Sequence, residues 1–268
     1  MLTFLKGLDN DLQQALITQL RDLWSHTSTA IEGNTLTLGE TAFVLKEGLT
    51  ISGKPLKDHE EVVGHARAID LIYDLVENKT IFTEKDMFSL HKAVQTQVVV
   101  DVYKPVGAWK KEPNSTVAVI DGKQLVFEYA PPDDIHGLME NWFELYHRLD
   151  QSLEPDNRHQ VLMAYVQLHV SFVRIHPFFD GNGRLARLIA NIPVLKSGLP
   201  PVIISVQQRK QYIDALSAYH FSTGQIKRDD ALLSNKNALK PFFKFCEQAW
   251  KESLSLVDKI KHRQQMRK

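Results

Sequence analysis

His176-Pro177-Phe178-Phe179-Asp180-Gly181-Asn182-Gly183-Arg184-Leu185-Ala186-Arg187 lies between two apolar runs, Val161 to Ile175 and Leu188 to Leu195. Both runs are apolar on too many sides for surface helices. They are expected to cross the interior and to hold the polar stretch between them as a loop. Pro177 ends the first helix near His176, and Gly181 and Gly183 give the backbone freedom that a sharp turn needs. The second helix starts near Asn182 to Arg184. A glycine-rich turn running into a helix N-terminus presents unpaired N–H groups and the positive end of the dipole, which favour an anion. Arg184 and Arg187 stand three apart on that first turn, so both can face one bound group. Cations there oppose the dipole, and a bound phosphate would offset the opposition.

The chain has 268 residues, 43% of them hydrophobic, which suits one globular domain with small appendages. Lys+Arg and Asp+Glu each number 32, so nothing in the net charge attracts nucleic acid or an anionic membrane. The single Cys246 cannot form an internal disulfide, which fits a reducing compartment. Residues 1–10 lack the apolar run of a signal peptide and no stretch reaches membrane-spanning length, so a cytoplasmic location is expected.

Periodicity predicts a mainly α chain. Asp9 to Trp24 puts Leu12, Ala15, Leu16, Leu20 and Leu23 on one stripe. A short helix over Ser28 to Glu32 ends at Gly33-Asn34, and Thr35 or Thr37 caps another through Lys46, before Gly48. Pro55 to Asn78 reads as a long helix with Val62, Val63, Ala66, Ile69 and Ile72 mainly inward. His59 and His65 stand six apart on it, on different faces, so they do not form the one-turn pair of a zinc helix. Thr83 to Thr96, Asp133 to Leu149 and Pro155 to Arg174 are further helices, the first with Thr83 and Asp86 as a capping pair. Between Gly107 and Pro132 the texture becomes β-rich: Thr116 to Ile120 and Leu125 to Tyr129, joined by the four residues Asp121 to Gln124, read as one hairpin. Pro193 interrupts the helix after the central stretch, Gly198-Leu199-Pro200-Pro201 closes it, and Val202 to Ser205 is extended. Gln208 to Ala218 and Asn237 to Lys261 complete the helices, and the basic end, Lys259 to Lys268, reads as a solvated helix end.

The central stretch resembles the Fic family signature, His-x-Phe-x-Asp/Glu-Gly-Asn-Gly-Arg-x-x-Arg, at every specified position. Ser28 to Gly33 resembles the family's inhibitory motif, Ser/Thr-x-x-x-Glu-Gly/Asn. Glu32, by itself an ordinary exposed carboxylate, would then pair with Arg187. The resemblance implies a mostly α-helical Fic domain with one β-hairpin flap. It divides the chain into an N-terminal helical segment with the inhibitory motif (1–50), a catalytic domain (51–250, flap about 107–132) and a basic C-terminal end (251–268).

It also implies a protein adenylyltransferase moving AMP from ATP to a Tyr, Thr or Ser hydroxyl of a protein. His176, with a pKa near neutrality, is then the general base. Asp180 holds Mg²⁺, or Mn²⁺, against the phosphates. Gly181, Asn182 and Gly183 receive the α-phosphate through N–H groups and the Asn182 amide, Arg184 neutralises the β-phosphate side, and Arg187 grips the γ-phosphate when Glu32 releases it. Arg209-x-x-Tyr212-x-x-Ala215-Leu216 resembles a segment near the nucleotide base, making Tyr212 a candidate wall, although packing inward is its ordinary reading. His220 stands near where relatives carry an asparagine. The hairpin is the docking edge for an unidentified target protein. Self-modification and a homodimer are compatible with this reading, and it calls for neither nucleic acid nor membrane. Two alternatives stand beside it: removal of AMP from the same target with Glu32 orienting water, and a non-enzymatic nucleotide-binding regulator.

Overall fold

Helix α1 (Asn10–Ile31) opens the fold, followed by α2 (Leu38–Glu47), α3 (Leu56–Glu77) and α4 (Glu84–Val94). Strands β1 (Ser115–Ile120) and β2 (Lys123–Glu128) come next, then α5 (Ile135–Ser152), α6 (Arg158–Ile175), α7 (Asn182–Ile189), α8 (Asn191–Lys196), α9 (Arg209–Thr223) and α10 (Lys240–Gln265). This computed structural model describes residues 2–95, 101–120, 123–154 and 157–267. Thr96, Asp121, Gly122, Pro155 and Lys268, which the sequence reading placed in helices, the turn and the tail, lie outside them.

The central helix α6 buries Val161, Leu162, Tyr165, Val166, Leu168, Val170, Phe172 and Ile175, covering nearly its whole circumference. It packs against α5, α7, α8 and α10, which explains why its sequence shows no polar face. A single apolar cluster runs from Leu2 to Val257, so residues on either side of the central stretch share one core. Among the described residues no helix is long and apolar enough to cross a membrane.

α1 differs from its sequence reading. It continues without a break through Ser28 to Ile31 instead of stopping at Trp24. No breaker stands in between, and hydroxyl groups that would otherwise compete with the helix turn back onto it: Thr29 Oγ1 donates to the Ser25 carbonyl at 2.8 Å. Ala15 and Val63, read as inward, are exposed. The capping expectations hold, with reciprocal boxes at Thr37–Glu40 and Thr83–Asp86. The hairpin is longer than read, because Lys123 and Gln124 belong to β2, with Ile120 facing Lys123. Pro193 falls inside α8, whose separation from α7 at Ala190 is the predicted interruption. The basic end is a solvated helix end as read, tied at its tip: Arg267 makes two exposed bonds to the Asp11 carboxylate at 2.8 and 2.7 Å, and Gln264 Oε1 accepts from the Asp9 N–H.

Candidate active site

α6 ends where Pro177 makes right-handed helix unfavourable for the residue before it. That residue, His176, adopts the left-handed conformation (φ 55°, ψ 59°) while its N–H still closes the helix onto the Phe172 carbonyl at 2.9 Å. A non-glycine residue there carries a strain of about 1 kcal/mol. The imidazole Nδ1 faces the Val173 carbonyl at 3.3 Å; a carbonyl only accepts, so Nδ1 carries the proton and Nε2 keeps its lone pair. The Tyr129 ring lies flat on the imidazole, 3.7 Å between centroids and 13° between planes. Burial first, then the nearby Lys110 amine, pushes the His176 pKa down to about 3, not near neutrality as expected. The imidazole is therefore uncharged at neutral pH.

Phe178, fully buried, anchors the loop. Its ring stacks on His91 at 3.9 Å and packs against Trp109 and Phe88. Asn182 serves the same loop: its Oδ1 accepts from the Phe178 N–H at 3.0 Å and its Nδ2 donates to the Phe178 carbonyl at 2.8 Å. Both ends of the amide thus hold the backbone four residues back, and Nδ2 has a second hydrogen beyond that bond. Gly181, left-handed at φ 81°, is the N-cap of α7, and no side chain caps that helix. The first N–H groups of α7 are thus without a side-chain cap and form a candidate anion cradle.

Asp180 projects beside the cradle, its side chain 60% exposed. Although its partial burial pulls the other way, the Gln95 side chain and Arg184 hold its carboxyl below the ordinary range. No group of three or more His, Cys, Asp or Glu side chains able to hold a metal ion occurs among the described residues. One ionised, accessible carboxylate beside a phosphate cradle does fit Mg²⁺, which is commonly held by one or two carboxylates plus phosphates and water. Arg184 is buried, donating through Nη1 to the Val94 carbonyl at the end of α4 and lying 3.5 Å from Asp180 Oδ2.

Arg187 is the most committed cation. Its Nε donates to Ser28 Oγ at 3.0 Å, Nη2 to the Ser28 carbonyl at 2.9 Å and to Glu32 Oε1 at 2.7 Å, and Nη1 to the Tyr212 hydroxyl at 3.1 Å. Burial alone would lower its pKa; Tyr212 and Glu32 reverse that and raise it. Tyr212 is itself buried and touches His169 Nε2 at 3.2 Å, so it backs Arg187 and does not form an open wall for a base. Glu32 is the C-cap of α1, followed by Gly33 at φ 104°. The Gly33 N–H donates to Ala30 and the Asn34 N–H to Thr29, a Schellman closure. Asn34 is tied down in turn: Nδ2 donates to the Asp58 carbonyl and Glu61, and Oδ1 accepts from Leu36. So placed, the Glu32 carboxylate lies in the first turn of α7, where a Cβ added at Gly183 would come within 2.6 Å of Oε1.

A model of the Fic/DOC family matches residues 81–193. A protein adenylyltransferase Fic from Drosophila grimshawi is 32% identical over 242 residues, 85% of this chain and 41% of the relative. The chain belongs to the Fic family. A second relative of the same description, from Drosophila mojavensis, is 33% identical over 231 residues, 85% of this chain and 39% of its own length. The chain therefore spans about two fifths of the length of these curated relatives. A Fic domain containing signaling protein from Bacteroides thetaiotaomicron superposes with a TM-score of 0.82 at 28% identity, over 96% of this chain and 93% of that one.

Around the Fic motif the structure gives contacts to residues for which the sequence reading had no role. His91 accepts from the Gly107 N–H at Nδ1 (2.7 Å), so its Nε2 carries the proton and donates to the Asp180 carbonyl at 3.1 Å. Tyr129 roofs His176. Lys110 and Asn114, in the arm leading to the hairpin, bind the motif backbone: the Lys110 N–H donates to the Pro177 carbonyl at 2.9 Å, and Asn114 Nδ2 to the Phe178 carbonyl at 3.0 Å. His220 lies under the hairpin, stacked on Phe127 at 4.9 Å. The aromatic spacing Phe127-x-Tyr129, one strand face, was the sequence signal for this packing. A lone histidine in α4 gave none. His59, by contrast, is local: its ring binds Ile51 and Pro55.

Proposed function

We propose that this chain is a protein adenylyltransferase that moves AMP from ATP to a protein hydroxyl and is restrained by Glu32. The observation that carries the reading is the Glu32 carboxylate seated in the first turn of α7 against Arg187, an anion in the place a nucleotide phosphate would need. His176, neutral with a free Nε2, removes the proton from the incoming hydroxyl, which attacks the α-phosphate as pyrophosphate leaves. The α7 N–H groups and Arg184 neutralise the charge that develops. Asp180 would hold Mg²⁺, which when bound spreads the negative charge of the phosphates. The hairpin supplies an edge on which an extended target segment can add main-chain bonds.

The strength of the restraint follows from exposure. Arg187 is buried but the Glu32 side chain is 41% exposed, so the pair lies well short of a buried one. Pair and helix dipole together contribute about 2 kcal/mol, or about 30-fold. Glu32→Gly should therefore raise self-labelling from ATP labelled at the α-phosphate by tens of fold, and label at the γ-phosphate should transfer to neither protein. His176→Asn, which tolerates the left-handed backbone, should abolish labelling and leave ATP binding within about threefold. Transfer of γ-label, or binding of ATP without transfer of either label, would overturn the proposal.

AMP removal is a second reading that one feature favours. Only Oε1 of Glu32 is held, and among the described residues no hydrogen bond engages Oε2, leaving it free to orient water. Glu32→Gly should then lose hydrolysis of AMP-modified target while gaining AMP addition.

A further inference from the structure

Lys110 is 3% exposed, yet no carboxylate pairs with it among the described residues. Its Nζ donates to Asn114 Oδ1 at 2.6 Å. That bond fixes which way the Asn114 amide faces: Oδ1 is held by the amine, so Nδ2 is presented to the Phe178 carbonyl at 3.0 Å and the Phe179 carbonyl at 3.4 Å. The Phe178 carbonyl is thus gripped from two sides, by Asn182 of the motif and by Asn114 from outside it. The backbone of the same two residues closes the assembly. Lys110 N–H holds the Pro177 carbonyl, and the Asn114 carbonyl accepts from Tyr129, whose ring lies on His176. A residue-by-residue path therefore joins both ends of the hairpin arm to the loop between the candidate base and Asp180.

We infer that Lys110 and Asn114 form a positioning pair for the transfer reaction, with Lys110 setting the orientation of Asn114 and Asn114 holding the Phe178–Phe179 backbone so that His176 and Asp180 keep their relative placement. The inference rests on the adenylyltransferase reading above and names residues outside the Fic motif. It explains why a buried lysine is kept without a counter-charge. Burial lowers the Lys110 pKa to about 7, and an amine needs no charge to donate one hydrogen bond. It also gives the hairpin a second task, since a target strand that firms the arm firms the catalytic loop through the same two side chains.

The test uses the Glu32→Gly protein as parent and compares Lys110→Met, Asn114→Ala, the double variant and Lys110→Arg. Each single change should lower kcat for α-label transfer at least tenfold, with KM for ATP and the melting temperature near the parent's. The double variant should fall no further than either single one, because the two residues act as one unit. Lys110→Arg, which keeps a donor, should recover most of the rate. Hydrogen exchange at amides 178–182 should quicken in Lys110→Met and Asn114→Ala whether or not the parent transfers label. Singles whose losses multiply in the double, a loss that follows KM or melting temperature, or unchanged exchange at 178–182 would each overturn the pair. A parent that transfers no label would instead sink the adenylyltransferase reading, and the exchange measurement would still decide the inference.

Discussion

The carboxylate of Glu32 rests against the α-carbon of Gly183: a methyl group there would lie 2.6 Å from Oε1 and 3.3 Å from Arg187 Nη1. Gly183 has ordinary helical backbone, so alanine is tolerated conformationally, and Glu32 is the end of a side chain that can swing away. Gly183→Ala should fold normally and break the Glu32–Arg187 pair. It should nevertheless fail to reproduce the activation expected of Glu32→Gly, because the methyl fills the space a phosphate would approach. ATP affinity and self-labelling measured together check this; activation equal to that of Glu32→Gly would mean that the phosphate does not approach Gly183.

Ser28 holds Arg187 by hydroxyl and carbonyl, at 3.0 and 2.9 Å. Ser28→Ala leaves a buried guanidinium N–H without its acceptor and should destabilise the protein by about 1–3 kcal/mol in urea unfolding. Glu32 keeps its own bond, so self-labelling should stay near the wild-type level. A midpoint unchanged from wild type would mean that water satisfies the freed Nε.

Val117 and Val126 face each other across the hairpin and are 58% and 64% exposed. If the hairpin receives the target, Val117→Glu with Val126→Glu should reduce modification of an added protein at least tenfold while leaving ATP binding unchanged. Equal losses in both would assign these strands a purely architectural part.

Acid should unfold this protein earlier than its carboxylates alone would require. Burial pushes His91 and His220 down to about 4, and His65 and His169 well below the ordinary imidazole value. Their folded pKa lies below the unfolded one, so the unfolded chain binds protons first. Stability is complete above about pH 6.5 and is lost as pH falls towards 4. A group held neutral costs roughly 1.4 kcal/mol per pH unit in that window, so several together take a large share of a domain's stability. Urea midpoints at pH 7.5 and pH 5 should differ strongly; equal midpoints would show that these rings take up protons while folded.

The central loop was legible because its parts are neighbours in sequence: Pro177 stops α6, Gly181 turns the chain, and α7 begins at Asn182. The pairing of Glu32 with Arg187, 155 residues apart, was legible only through resemblance to other chains. That Asn182 also holds the Phe178 peptide was not legible, because an amide offers donors and an acceptor to anything nearby and sequence does not reveal which partner takes them. The basicity of His176 depends on burial and on Lys110, 66 residues away, neither of which local pattern records. His91, Lys110 and Asn114 belong to residue types whose ordinary reading is solvated surface or satisfied core, and only their convergence on the backbone of residues 177–180 separates them from it.

The closure at the end of α1 leaves Glu32 little freedom except about its own side-chain bonds, since Gly33 and Asn34 are fastened to the helix and to α3. Rotations of a partly exposed side chain take picoseconds to nanoseconds, whereas a typical enzyme turns over in milliseconds or longer. On the proposed reading, the held and released arrangements exchange very many times between successive turnovers. Adding ATP should then produce no lag, the protein should carry no memory of its earlier state, and the degree of restraint should track nucleotide concentration continuously.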